Sequence, residues 1–165
     1  MAKMRTLRAE TRRQEKTTSA PTVLNRRARH EFIILESLEA GLALTGTEIK
    51  SIRAGGVSLN EAFARVREGE LWLVNMYVPP YKAGNAFSAH DPRRARKLLV
   101  HKEQLARLAS RSAEKGLTIV PLRLYFTRGK AKVEIGLAKG KKLYDKRKTI
   151  AEREMRRELA RVESR

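Results

Sequence analysis

The chain has 165 residues, enough for one domain of ordinary size with tails left over. Its 37 Lys and Arg against 18 Asp and Glu leave a net charge of +19, so a compact body repels itself unless an anion compensates. With no cysteine, a disulfide framework, a thiolate metal site and a Cys nucleophile are all excluded.

No apolar run approaches the roughly 18 residues of a membrane span, and the N-terminal stretch lacks the apolar core of a secretory signal. Leu, Ile, Val and Phe number 39, more than disordered chains hold, so a packed core is expected. The charge is unevenly spread. Residues 1–30 carry nine bases and two acids, residues 31–128 carry fifteen and ten, and residues 129–165 carry thirteen and six. That is a nearly balanced body between two cationic arms. Nucleic acid is the anion this pattern favours, because no helix has the Trp, Phe and Leu face that lies on lipid.

Residues 1–22 hold a single large aliphatic, Leu7, and are expected to form a disordered basic arm. The body, residues 23–138, opens near Asn25. EFIILESL (31–38) reads as a strand that Gly41 interrupts. Thr45 and Glu48 form a capping-box pair before a short helix that ends at Gly55-Gly56. AFARV (62–66) and LWLVNMYV (71–78) flank Glu68-Gly69 as a hairpin. Residues 81–90 read as a loop. Asp91-Pro92 predicts a helix start, with Leu98, Leu105 and Leu108 as its apolar stripe, a break near Val100–Lys102 and Gly116 as its end. LTIVPLRLYF (117–126) and KAKVEIGLA (130–138) form a second hairpin around Arg128-Gly129, with Pro121 at an edge or bulge.

Short strands dominate, and no regular crossover helices separate them. The expected fold is therefore mainly β: a small antiparallel barrel of the oligonucleotide-binding type, with two or three inserted helices and basic terminal arms. Residues 139–165 form a basic C-terminal tail. Its second half, capped by Thr149 and Glu152, carries an apolar stripe at Ala151, Met155, Leu159 and Val162. A helix this short is marginal in water, so it is expected to fold on binding; docking on its own barrel is the other reading.

Three histidines, His30, His90 and His101, show no metal-ligand spacing, and no phosphate-binding or nucleophile-elbow motif occurs. A nuclease built on those histidines is a competing reading, as is a ribosomal-type structural RNA-binding protein with basic arms. No catalytic residue, metal or cofactor is assigned. Basic runs contact phosphate without reading sequence, and aromatic residues are only 5%. A folded RNA recognised by shape and backbone is the expected ligand.

NRRARHEF (25–32), EAGLALTGTEIKSIRAGG (39–56), DPRRARKLLVHKEQL (91–105), GLTIVPLRLYF (116–126) and GLAKGKKLYDKR (136–147) occur in order without a large gap. Together they resemble the SmpB family of small bacterial proteins that bind SsrA RNA (tmRNA), from about Val23 to Val162. The resemblance implies a barrel that holds the tRNA-like domain of tmRNA and enters stalled ribosomes with it. It also implies a tail that lies in the decoding centre, against small-subunit RNA, and in the empty mRNA channel. Elongation factor Tu, acting through tmRNA, is the implied delivery partner. The implied protein is a monomer in the cytoplasm, off the membrane, that catalyses nothing.

By position the resemblance places tmRNA contacts at Asn25, Phe32, Glu39, Leu99 and His101, with Arg26, Arg27, Arg29 and His30 beside them. Glu39 would accept base or 2′-OH hydrogen bonds, unless it forms a salt bridge at a strand end. Leu99 would serve the RNA face, unless it belongs to the core. The implied ribosome contacts are Lys139, Lys141, Lys142, Tyr144, Asp145, Lys146, Arg147, Met155 and Val162. Some members carry Asn in place of His101, and Trp and Ile in place of Met155 and Val162.

Overall fold

The computed structural model describes residues 21–82 and 90–163, apart from the side chains of Leu143, Tyr144 and Glu163. Residues 1–20 of the expected disordered arm and most of the 81–90 loop lie outside the described residues.

Seven antiparallel strands form the body: β1 (Val23–Leu24), β2 (Phe32–Leu42), β3 (Phe63–Arg67), β4 (Glu70–Val74), β5 (Arg96–Leu99), β6 (Leu117–Thr127) and β7 (Lys130–Gly140). Their order is β1-β6-β3-β4-β5-β2-β7, and a further β6–β7 pairing closes the sheet into a ring, the barrel expected from the strand pattern. Helices α1 (Arg26–Glu31), α2 (Gly46–Ala54), α3 (Lys102–Ser112) and α4 (Leu143–Glu163) are attached to it.

Both hairpins turn where expected. Glu68 and Gly69, and Arg128 and Gly129, all have positive φ, the pattern of a two-residue turn whose twist matches the strands it joins. These turns set Arg67 opposite Glu70 and Thr127 opposite Lys130. The long strands bend at irregularities between Ile34 and Glu36 in β2 and between Pro121 and Arg123 in β6. Such bends let one strand serve two cores. Inside the ring, Leu71, Leu73, Met76, Leu98, Ile119, Leu124, Val133, Ile135 and Leu137 are buried. Outside it, Val120, Leu122 and Ala138 are buried under Ala28 of α1.

Asn25 anchors that outer layer. Its Oδ1 accepts from the Ala28 N–H at 3.1 Å, and its Nδ2 donates to the carbonyls of Leu59 (3.0 Å) and Pro121 (2.8 Å). α2 is capped as expected: Thr45 Oγ1 accepts from the Glu48 N–H at 3.4 Å, and Glu48 Oε2 accepts from the Thr45 N–H at 2.9 Å.

The Glu48 carboxylate is fully buried, as is Arg96. Arg94 reaches it at 2.5 Å and Arg96 at 2.8 Å. Arg96 also donates to the carbonyls of Met76 (2.8 Å), Arg94 (3.0 Å) and Pro92 (3.3 Å). Burial alone raises the Glu48 carboxyl. The hydrogen bonds from Arg94 and the Thr45 backbone, with the charge of Arg96, more than reverse this and hold it at about 2.

Several expectations are corrected. Gly41 does not interrupt β2; it pairs with Leu99 and Lys132 inside the strand. A Cβ there would sit 3.3 Å from Leu99 Cβ, so glycine permits a close strand approach. The helix expected from Pro92 starts only at Lys102. Residues 96–99 are β5, held between β4 and β2, because closing the ring outweighs the helical propensity of Arg-Lys-Leu-Leu. α3 ends at Ser112, before Gly116. α1 was not expected, since six residues carry no legible period. β7 runs two residues past 138, so Lys139 is a strand residue facing Ile33 and Leu117. The tail helix begins at Leu143, not Thr149, and Thr149 is interior to it. Thr149 Oγ1 donates to the Asp145 carbonyl at 2.9 Å rather than capping.

The buried polar groups set the stability. Glu48→Gln should destabilise by about 3–5 kcal/mol in denaturant melts, because it strands buried guanidinium charge. The Glu48 carboxyl is depressed on folding, so its contribution is complete above the unfolded value near about 4.3 and is lost as pH falls toward about 2. Acid titration of the wild type should show that loss, and of Glu48→Gln should not. Asn25→Ala should cost about 1–3 kcal/mol by leaving two carbonyls unpaired, measured in the same melts.

Candidate nucleic-acid interface

The barrel wall brings three of the expected RNA contacts together. Glu39 comes from β2, Leu99 from β5, and His101 from the N-cap of α3. With Leu38, Gly41, Val100, Gln104 and Lys132 they line an open cleft of about 450 Å³. The convergence is a matter of register. Gly41 lies opposite Leu99 on one side and Lys132 on the other, and Leu99 ends its strand two residues before His101.

Leu99 is 54% exposed, so the core reading of this residue does not hold. Its neighbour Leu98 takes the buried position, as strand alternation requires. The His101 residue is exposed, and its backbone N–H donates to Gln104 Oε1 at 3.2 Å.

Glu39 is half-exposed and already held. Lys132 Nζ lies 3.1 Å from Oε1, and Tyr125 donates its hydroxyl to Oε2. The salt-bridge reading of Glu39 is thus what the unbound chain shows. The Tyr125 hydrogen bond, then that of Lys132, keeps the Glu39 carboxyl below the ordinary range, so it is an anion at neutral pH. Burial and the adjacent Glu39 push the Tyr125 phenol up to about 12, which keeps it a donor. Arg123 stacks on the Tyr125 ring at 4.8 Å and pairs with Glu134 at 2.5 Å. A carboxylate, an imidazole, an amide and an ammonium therefore surround one exposed leucine. That set can accept from and donate to base edges and ribose hydroxyls while covering apolar surface.

Gln104, Lys132, Tyr125 and Arg123 were not singled out from sequence. Gln104 had a local signal, three residues after the helix cap. Tyr125 and Lys132 face each other across the second hairpin, as its turn dictates. Their meeting with Glu39 needs the β2–β7 pairing, which has no local signal.

The Asn25–Phe32 segment sits elsewhere. Phe32 begins β2 and Glu39 lies seven residues on, roughly 20 Å of strand away at a rise of about 3.3 Å per residue. Asn25 is buried with its amide committed to three protein partners. In this structure the Asn25 side chain caps α1 and ties it to the loop at Leu59 and to β6. Phe32 is half-buried against the outer cluster. Arg26, Arg27 and Arg29 are exposed, and Arg27 is paired with Glu31 at 2.8 Å. The histidines share no element, and His90 Nε2 is 3.2 Å from the Val78 carbonyl. Among the described residues no group of three His, Asp or Glu could hold a metal ion, and no helix is long and apolar enough to cross a membrane.

The tail begins with a latch. The Lys141 N–H donates to the Glu31 carbonyl at 2.9 Å. Its Nζ donates to the Arg29 carbonyl at 3.2 Å and to Thr149 Oγ1 at 3.4 Å. Lys141, expected to face the ribosome, here joins α1 to α4. Lys139, Lys142 and Arg147 are exposed, and Asp145 and Lys146 are half-buried. The Tyr144 side chain lies outside the described residues. Met155 and Val162 are 66% and 73% exposed, so the apolar stripe is not packed on the barrel.

Comparison with known proteins agrees with this architecture. The family model described as SmpB protein matches residues 22–165. An SsrA-binding protein of Desulforudis audaxviator is 60% identical over 138 residues, 84% of this chain and 90% of the relative. One from Thermobifida fusca is 52% identical over 155 residues, 93% of this chain and 96% of the relative. A solved structure described as "tmRNA-SmpB: a journey to the center of the bacterial ribosome" is 56% identical, with a TM-score of 0.64, over 75% of this chain and 87% of its own. By family model, sequence and fold, this chain belongs to the SmpB family.

Proposed function

We propose that the chain binds the tRNA-like domain of tmRNA (SsrA RNA) and carries it to stalled ribosomes for trans-translation. The observation that carries this is the cleft in which Glu39, Leu99, His101, Gln104 and Lys132 converge. Its lining suits a folded RNA read by backbone shape and ribose hydroxyls. The name of the relatives, SsrA-binding protein, and the tmRNA-SmpB ribosome complex support the same partners.

An acid at the centre of an RNA face on a +19 chain costs Coulomb energy unless it is used. Glu39 is preorganised by Tyr125 and Lys132, and RNA hydroxyl or amino groups replace or join those donors. Leu99 covers apolar base or sugar surface, and His101 with Gln104 supplies further hydrogen bonds. Arg26, Arg27, Arg29 and His30 bind backbone phosphate on the α1 side, with Asn25 and Phe32 holding that helix in place.

The tail serves the ribosome. α4 spans about 30 Å at 1.5 Å per residue, and its stripe of Ala151, Met155, Leu159 and Val162 is exposed. A helix with so little tertiary support is marginal alone, so it gains order in the channel it occupies. Lys139, Lys142, Tyr144, Asp145, Lys146 and Arg147 contact small-subunit RNA at the decoding centre. The protein works as a monomer in the cytoplasm without a cofactor or catalysis, and elongation factor Tu joins through tmRNA.

Glu39→Arg should weaken binding to the tRNA-like domain about tenfold or more while leaving the melt unchanged; equal affinity would remove the cleft from the site. Truncation after Lys142 should preserve that affinity within about threefold and abolish tagging in a reconstituted stalled-ribosome assay; a truncated chain that still tags would refute the tail's role.

A further inference from the structure

A second cleft, of about 490 Å³, lies between α1 and α4. It is lined by Arg26, Arg29, Arg153, Arg156, Arg157 and Ala160. Two rows of guanidinium groups face each other there, and among the described residues no carboxylate lines the space. Among the described residues none of these five arginines has an ion-pair partner. Elsewhere on the body the acids are matched: Glu36 with Arg107 and Arg111, Glu61 with Arg93, Glu70 with Lys97.

The orientation of α4 is the second observation. Helices normally turn their apolar stripe toward the body. Here Arg153, Arg156, Arg157 and Ala160 share the face toward α1, while Met155, Leu159 and Val162 lie on the opposite, exposed face. The inward face is therefore the one that α1 repels. Two features hold it there. The Lys141 latch ties the start of α4 to the end of α1 through the Arg29 carbonyl and Thr149 Oγ1. Ala160, small and uncharged, leaves room at the far end.

We propose that α1 and α4 form a phosphate clamp that closes on the sugar–phosphate backbone of bound RNA, so that RNA binding on the body sets the direction of the tail. The inference rests on the RNA-binding reading above but concerns a separate stretch of backbone, at the opposite end of β2 from the Glu39 cleft. Guanidinium forks match phosphate oxygens in pairs, and five of them neutralise several successive phosphates. Without RNA the two rows repel and α4 swings about its latch. With RNA between them the repulsion becomes shared attraction. Linkage is reciprocal, so the tail arginines also raise the affinity of the body for RNA.

The absence of native cysteine makes the test direct. Spin labels at Ser37→Cys on β2 and Glu158→Cys on α4, both exposed, report the distance between barrel and tail in the full-length chain. The tRNA-like domain of tmRNA and a length-matched RNA duplex should each turn a broad distance distribution into a narrow one. In the Arg153→Gln, Arg156→Gln, Arg157→Gln variant the distribution should stay broad. Its affinity for either RNA should fall about threefold, the loss that truncation after Lys142 also allows, and the salt slope of binding should drop by about one for each phosphate left without its guanidinium.

A variant that narrows and binds like the wild type would overturn the clamp. Equal narrowing by inorganic tripolyphosphate at matched phosphate concentration would overturn RNA as its ligand in favour of small polyphosphates. Failure of the wild type to prefer the tRNA-like domain over the duplex would count against the tmRNA reading instead. The clamp would then still stand or fall on the duplex arm.

Discussion

The buried carboxylate of Glu48 is the point on which this fold turns. It sits on α2 and is held by Arg94 and Arg96, which flank or begin β5. β5 is the short strand that completes the ring between β4 and β2. Two arginines on so short a segment would not enter a barrel wall for apolar reasons. They enter because one anion, desolvated with them, compensates their charge, and because Arg96 also satisfies three backbone carbonyls. Removing either sign would leave the other buried and alone. The ion pair thus couples the cap of one helix to the closure of the whole sheet.

Function depends on that closure. With β5 in place, Leu98 faces inward and Leu99 must face out, beside Gly41. The next residues then cap α3, which sets His101 and Gln104 against the same wall. The cleft around Leu99 is therefore a consequence of strand alternation once the sheet is shut. Its one acid is kept charged by hydrogen bonds from neighbouring strands, and the residues around it supply both donors and acceptors.

Within the barrel most acids have a basic partner. Arginines without such a partner face each other across the cleft between α1 and α4. A barrel wall with paired charges and an arginine-lined cleft are distinct physical features. They are joined here by the Lys141 latch.

Local features of the sequence were enough for much of this. The two hairpins follow from Glu68-Gly69 and Arg128-Gly129, whose positive φ needs no distant contact. The α2 cap follows from Thr45 and Glu48, three residues apart. The cationic tail and its helical stripe follow from composition and spacing, and the ordered motifs carried the family. Where pairing partners lie far apart in sequence, the chain alone misled. Arg96–Leu99 looks helical and is a strand, and Gly41 looks like a break and is a close contact. Asn25 opens a basic run in the sequence and is a buried anchor in the fold. Glu39 meets Lys132 and Tyr125 only across two neighbouring strands. Composition and short spacings are properties of the chain and survive in any fold. Which residues share a wall is decided by ring closure, where the energy of pairing and burial exceeds the modest preferences of single residues.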